Sequence, residues 1–157
     1  MITHFHASTK ARKRGILFDV GHGGGSFRFD VAIPALAAGF VPNTISTDLH
    51  IGSMNGGMKD MTSVMSKFLA LGMPWTEVVA ASTWAPAQTI QREDLGHLSV
   101  GAVADISVFS LQRGDFGFVD VRNQRLAGDT KVVAELTVRA GYIMWDLNGL
   151  TAEDIAQ

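Results

Sequence analysis

Two short apolar runs of the chain each end in residues whose side chains can bind metals or move protons. In FDVGHGGGSF, His22 follows the run and precedes glycines, and in NTISTDLH, Asp48 and His50 end it. Neutral imidazoles together with a carboxylate are ligands of zinc and of similar divalent ions. A carboxylate beside a metal-bound water can also take the proton of that water. These residue types therefore indicate metal-assisted hydrolysis as a candidate chemistry.

A third segment near the N-terminus, ITHFHAS, carries His4 and His6 two residues apart. On an extended chain alternate side chains point the same way, so a strand here would bring both imidazoles together. Each segment also has a simpler explanation. Chain termini often carry polar residues, an aspartate after a strand can cap a turn, and a histidine beside glycines can bond to backbone alone. The metal hypothesis depends on the segments lying side by side.

The elements predicted around these segments would bring them to one edge of a sheet. GILFDVG is apolar on both faces and closed by glycine, which is typical of a buried strand, and NTISTD is predicted to be the next strand. A helix over RFDVAIPALAAGF joins them, and a strand–helix–strand unit gives parallel strands. Active sites in such sheets lie at the carboxyl ends of the strands. The pleat then places Ser46, Asp48 and His50 on one face.

Beyond the second strand the sequence predicts helices and then an antiparallel sheet. KDMTSVMSKFLALGM has a methionine-rich face typical of core packing, and PWTEVVAASTWAPAQTI is predicted to be a helix that breaks at Pro86. Four later runs alternate in period two, with no long helix between them: ADISVFSL, DFGFVDVR, KVVAELTVRAG and YIMWDL. We therefore divide the chain into an α/β segment (1–98), a small antiparallel β-domain (99–150) and a polar tail (151–157).

Composition argues against several classes of function. The chain has 157 residues and a formal net charge of −2, so it lacks the excess of basic residues that nucleic-acid binding requires. It contains no cysteine, so disulfides, thiolate ligands and cysteine nucleophiles are excluded. Its longest apolar run, VAIPALAAGFV, is shorter than the about 20 residues that cross a bilayer, and no signal-peptide pattern opens the chain. We expect a cytoplasmic protein with a small-molecule partner, not a nucleic acid or a membrane.

Several of these stretches together resemble the amidohydrolase superfamily, with dihydroorotase-like and deacetylase-like metallohydrolases as the nearest branch. The similarity covers roughly residues 15–150 and includes ILFDVGHGGGSF, NTISTDLH and MTSVMSKFLALGM. It continues through ASTWAPAQTI, GHLSVGAVADISVF and VRAGYIMWDLNGL. The resemblance implies an α/β fold: the C-terminal part of a (β/α)8 metal-dependent hydrolase barrel, followed by strands of a small β-sandwich.

The resemblance also implies roles for individual residues. Asp48 matches the family's aspartate after the eighth strand, which is a metal ligand and the catalytic base. His4 matches a metal-binding histidine, and His6 is a further candidate ligand or a neighbour of the site. His22 would act in catalysis by orienting the substrate or an oxyanion. The implied substrate contacts are His22, His50, Gly23 and Gly24. The implied cofactor is one or two Zn²⁺ ions, or another divalent metal.

Some family features have no counterpart here, and two functional hypotheses remain open. The family's first-strand His-x-His, carboxylated lysine and fifth-strand histidine are missing, and a complete barrel takes about 250 residues, so we expect an incomplete barrel. The first hypothesis is a metal-dependent hydrolase of an amide, cyclic amide or ester bond, with Asp48 as ligand and general base. The second is a non-catalytic relic that only binds or self-assembles. Because open sheet edges need cover, we also expect a homo-oligomer or a complementing fragment, burying over roughly 1,000 Å².

Overall fold

The computed structural model describes residues 2–155, with side chains described from residue 8 onward. Its elements, in chain order, are α1 (Ile2–Lys13), β1 (Asp19–Gly21), α2 (Phe29–Ala37), β2 (Thr44–Ser46), α3 (Met61–Ala70), α4 (Trp75–Ser82), α5 (Trp84–Thr89), β3 (Ile106–Val119), β4 (Arg125–Arg139) and β5 (Tyr142–Asp146). β1 and β2 form a two-stranded sheet, and β3, β4 and β5 form a second sheet in that order.

The predicted strand–helix–strand unit is confirmed, although its strands are shorter than expected. The prediction that GILFDVG is a buried strand is wrong, since Ile16 and Leu17 are exposed and β1, which pairs with β2 alone among the described residues, begins only at Asp19. β1 and β2 are parallel, with Asp19 opposite Thr44 and Gly21 opposite Ser46. α2 connects them and ends just before Gly39, whose φ of 76° lies in the left-handed region that glycine adopts without strain. The unit therefore delivers the segments after β1 and β2 to the same edge of the small sheet.

The prediction that ITHFHAS is extended is wrong, because residues 2–13 form helix α1. An extended segment needs a neighbouring strand for its backbone hydrogen bonds, and in the described residues β1 pairs with β2 alone. A helix satisfies those groups internally, and the basic residues of its last turn interact favourably with the helix dipole. The side chains of His4 and His6 lie outside the described residues.

One apolar core connects the two sheets, and α3 lies in contact with both. The face predicted as core from its methionines is confirmed, since Val64, Met65 and Phe68 are buried. α3 packs against β2 and β4, and the backbone N–H of Val132 in β4 donates to Ser66 Oγ at 2.9 Å. The core comprises Phe27, Phe29, Ile45, Met58, Val64, Met65, Phe68, Met73, Val78, Ala81, Phe118 and Val132.

The antiparallel sheet is confirmed with three strands instead of the four predicted runs. ADISVFSL and DFGFVDVR form one strand, β3, because its ladder with β4 continues through both. Register shifts between Val108 and Phe109 and between Arg113 and Phe116 let this long pair bend. None of the helices within residues 2–155 is long and apolar enough to cross a bilayer.

The predicted break at Pro86 falls three residues earlier. α4 ends at Ser82, and Thr83 with φ −132° and ψ −80° separates it from α5. Pro86 lies in the first turn of α5, where a backbone N–H would have no helical acceptor, so proline fits there.

Candidate active site

One face of the β1–β2 pair carries a cluster of polar side chains. Asp19 accepts hydrogen bonds from Thr44 Oγ1 at 2.7 Å and from Ser46 Oγ at 2.6 Å. Asp48 joins this face, because a Cβ atom added to Gly21 would lie 3.4 Å from Ser46 Oγ and 3.5 Å from Asp48 Cβ. Asp19 and Asp48 are both exposed. The cluster therefore presents two carboxylates to solution.

Asp48 is held in an uncommon backbone conformation directly against Gly23. Its φ of 49° lies in the left-handed region, which aspartate tolerates better than most residues. A Cβ atom added to Gly23 would lie only 2.3 Å from Asp48 Oδ2, so the carboxylate fills the space of the missing side chain. The N–H of Gly23 donates to Thr47 O at 2.8 Å and ties the two segments together. A side chain at position 23 would displace this carboxylate, and the φ of 51° at this position favours glycine.

His50 lies in the turn that follows Asp48. Its Nδ1 donates to Asp48 O at 3.0 Å, and its backbone N–H donates to Ser53 Oγ at 3.0 Å. Ser53 is fully buried and also donates to His50 O at 3.0 Å, so it fixes the turn from inside. The His50 side chain is exposed, and a Cβ atom added to Gly52 would lie 3.3 Å from its Nε2. Asp48 and His50 are thus neighbours at the open edge.

His22 points into the protein, where both of its ring nitrogens have partners. Nδ1 lies 3.0 Å from Gly23 O and Nε2 lies 2.6 Å from Lys67 Nζ, while the ring stacks on Phe27 at 4.6 Å. A carbonyl only accepts, so Nδ1 carries the proton and Nε2 accepts from Lys67. Burial lowers the pKa of His22, and the charge of Lys67 lowers it further. His22 is therefore a neutral, internal imidazole. Gly24, the other predicted contact, is exposed.

Lys67 is a buried cation that the sequence analysis did not single out. Its Nζ donates to Val119 O at 2.7 Å, to Gly57 O and to His22 Nε2, so the three N–H groups of an ammonium have three acceptors. Burial lowers the pKa of Lys67 to about 8, against the opposing charge of Asp120. The side chain therefore stays mainly protonated at pH 7. The signal in the sequence that could have identified Lys67 was its position beside the apolar stripe of α3.

Asp120 is the second buried charge that the sequence analysis did not single out. Its carboxylate accepts from the backbone N–H groups of Phe29 at 3.0 Å, Arg122 at 2.8 Å and Gln124 at 2.9 Å. Burial acts to raise the pKa of Asp120, but these backbone hydrogen bonds and the charge of Lys67 outweigh it and lower the pKa. Asp120 thereby connects the start of α2 to the turn between β3 and β4.

An apolar cavity of about 510 Å³ adjoins the polar cluster. This volume lies within the range of small-molecule pockets. Asp19 and Gly21 of β1 belong to its wall, so the cavity adjoins the strand that carries Asp19, whereas Asp48 does not line it. The remaining wall is mostly apolar and includes Phe18, Val20, Phe27, Val31, Leu36 and Phe40.

The described side chains do not by themselves fit a zinc ion. A catalytic zinc takes three protein ligands and keeps one open position. From residue 8 onward, no three side chains of the histidine, cysteine, aspartate and glutamate types come together as a metal-binding group. Asp48 and His50 are adjacent, and the hydrogen bond from His50 Nδ1 to the carbonyl of Asp48 leaves Nε2 as a possible ligand atom, but no third such side chain joins them in this part of the structure. The other predicted ligands, His4 and His6, have side chains outside the described part.

Comparison with known proteins agrees with the resemblance seen in the sequence. Residues 29–143 match the model of the amidohydrolase family. A deacetylase of Agrobacterium fabrum is 43% identical over 116 residues, which is 74% of this chain. The crystal structure of an adenine deaminase superposes with a TM-score of 0.83 and 32% identity over 87% of the chain. The crystal structure of a dihydroorotase superposes with a TM-score of 0.79 and 37% identity over 86% of the chain.

The matched proteins are considerably longer than this chain. The chain spans 28% of the length of the deacetylase and 37% of each of the two solved structures. The family match covers residues 29–143, which contain the elements from α2 to β4 and the start of β5 but not β1.

Proposed function

Because the chain belongs to the amidohydrolase family, we propose that it acts in the hydrolysis of an amide, cyclic amide or ester bond in a small molecule. The deacetylase relatives and the dihydroorotase neighbour support this choice. The observation that carries the proposal is the exposed Asp48 carboxylate, seated on Gly23 at the edge where β1 and β2 end.

In this proposal Asp48 is the general base. An exposed carboxylate with a fixed backbone can take a proton from an attacking water and pass it to the leaving group. Gly23 gives this carboxylate its place, and the exposed His50 in the following turn would orient the substrate, with Gly24 as a further substrate contact. The neighbouring cavity would receive the apolar part of a substrate.

We also assign Asp48 as one ligand of a divalent metal, zinc or a related ion. Since the described side chains offer no complete ligand set, this assignment requires further ligands from outside them. Equilibrium dialysis with Zn²⁺ tests this assignment, because Asp48→Asn should bind the ion at least about tenfold more weakly than the wild type.

The test of the catalytic role is Asp48→Asn, with Asp115→Asn in β3 as an exposed control. Asparagine keeps the size of the side chain and tolerates a positive φ, so the free energy of unfolding should change by less than about 1 kcal/mol. Turnover of N-acetylated amines, cyclic amides and esters with added Zn²⁺ should fall at least about 10²-fold in Asp48→Asn and stay unchanged in the control.

Two results would overturn the proposal. Unchanged turnover in Asp48→Asn would remove Asp48 from the chemistry. A wild-type chain that folds but turns over none of these substrates would leave the non-catalytic relic as the better explanation.

A further inference from the structure

We propose that Lys67 is a positioning residue that orients the Asp48 carboxylate through His22 and Gly23, an inference that rests on the proposed role of Asp48. Three links connect the inside of α3 to the open edge of the β1–β2 sheet. The first two are hydrogen bonds of buried side chains, and the third is the close approach of the exposed Asp48 carboxylate to Gly23.

The first link is the anchoring of the ammonium. Lys67 is 1% exposed and is fixed by the carbonyl groups of Val119 and Gly57, which come from β3 and from the loop before α3. Taking an ammonium out of water is costly, and replacing buried ions by apolar side chains often leaves stability unchanged or higher. Methionines occupy neighbouring core positions, so stability alone does not call for a lysine here.

The second link is the orientation of the His22 ring. Lys67 donates to Nε2 and thereby leaves the ring proton on Nδ1, which donates to Gly23 O. The stack on Phe27, with planes 21° apart, keeps the ring in this orientation. Because His22 is fully buried and both nitrogens are used, its contacts act on the protein's own backbone.

The third link is the contact between Gly23 and Asp48. Gly23 is held on both sides of its Cα, since its N–H donates to Thr47 O and its carbonyl accepts from His22. Asp48 Oδ2 lies where a side chain of residue 23 would begin. A rotation of either peptide that flanks this Cα would therefore change the space available to the carboxylate.

The experiment compares Lys67→Met with Ser66→Ala. Methionine keeps most of the apolar stem of Lys67 and removes all three donors. Ser66 is an equally buried neighbour that donates to Thr62 O at 2.6 Å and accepts from Val132 N at 2.9 Å, with no contact to His22. Its loss should reduce stability without disturbing the three links.

The readouts are the ¹⁵N signals of the His22 ring, the exchange rate of the Gly23 amide, the ¹³C signal of the Asp48 carboxyl, and steady-state kinetics. In Lys67→Met we expect the His22 Nε2 signal to shift because this nitrogen loses its donor, the Asp48 signal to shift and Gly23 exchange to quicken about tenfold or more. The kcat should fall about tenfold or more with KM within about twofold, because orientation is lost while binding remains. Ser66→Ala should show none of these changes.

The proposal is overturned if Lys67→Met leaves the His22, Gly23 and Asp48 signals as in the wild type, or if both variants lower kcat equally. If the wild type shows no turnover, the proposed function fails, but the three NMR signals still decide whether Lys67 orients Asp48. If Lys67→Met does not fold, His22→Phe replaces it as the test, because phenylalanine keeps the ring stack and has no ring nitrogens. His22→Phe should shift the Gly23 and Asp48 signals, and unchanged signals would show that the proposal is wrong.

Discussion

Gly23→Ala provides a direct test of the geometry around Asp48. The new Cβ would lie 2.3 Å from Asp48 Oδ2, whereas ordinary contacts begin near 3.4 Å. The carboxylate must therefore retreat by about 1 Å, and a displacement of this size at a catalytic group can lower activity about 10²-fold. The alanine must also adopt the positive φ of 51° at this position, which costs about 1–2 kcal/mol.

The matched control is Gly25→Ala. Gly25 lies in the same loop, has no atom within 4 Å of an added Cβ and is not among the glycines with positive φ. We expect its stability and turnover to stay within the error of the measurement. Gly23→Ala should instead lose about 1–2 kcal/mol in urea unfolding and about 10²-fold in kcat/KM.

The expected pattern for Gly23→Ala is a large loss of activity with a small loss of stability, because the displaced Asp48 carboxylate is exposed and can move into solvent. Turnover within about threefold of the wild type would refute the reasoning, since the carboxylate would then work equally well from a position about 1 Å away. Loss of the folded state in Gly23→Ala but not in Gly25→Ala would also refute it, since the backbone would have yielded instead of the carboxylate.

Three further predictions concern the buried charges and the exposed sheet edge. Asp120→Asn should lose about 2–4 kcal/mol at pH 7, because one amide oxygen replaces a carboxylate that accepts three backbone hydrogen bonds. Because the pKa of Asp120 is lowered in the folded state, this stabilisation is present above about pH 4 and is lost as the pH falls through the folded-state pKa. In urea unfolding at pH 3, the difference in stability between Asp120→Asn and the wild type should therefore be smaller than at pH 7. For Lys67, the pKa of about 8 lies below the usual 10.5, so the unfolded state binds more protons between these values. The stability of the wild type relative to Lys67→Met should therefore rise by up to about 3 kcal/mol from pH 8 to 10.5, and a flat difference in unfolding experiments would contradict the assignment. The edge strand β5 exposes large apolar side chains, with exposed fractions of 75% for Tyr142, 52% for Ile143, 63% for Met144 and 52% for Trp145. We therefore expect light scattering to show a homo-oligomer, and a monomer at high concentration would contradict this expectation.

Local patterns were sufficient to predict most elements. Parallel strands and a helix between them follow from apolar runs closed by glycine, although the burial predicted for the first strand does not occur, and Gly39 indicated where α2 ends. The period-two runs after Gly101 predicted the antiparallel sheet. The quoted motifs were enough to recognise the family, because they are contiguous stretches that need no knowledge of distant contacts.

Elements that depend on a partner could not be read from local patterns. Whether residues 2–13 form a strand or a helix depends on whether another strand lies beside them, and among the described residues none does. The two runs of β3 became one strand because β4 pairs with both. Hydrogen bonding to a neighbouring chain segment decided each case, and local periodicity carries no information about that neighbour.

At the candidate site, the sequence by itself determined which side chains end the strands, and Asp48 and His50 do lie together at the exposed edge. Only the tertiary structure decided that His22 turns inward, because its partner Lys67 is 45 residues away and is held by carbonyl groups of two further segments. A lysine is buried only where several acceptors converge, and that convergence comes from packing α3 between the two sheets.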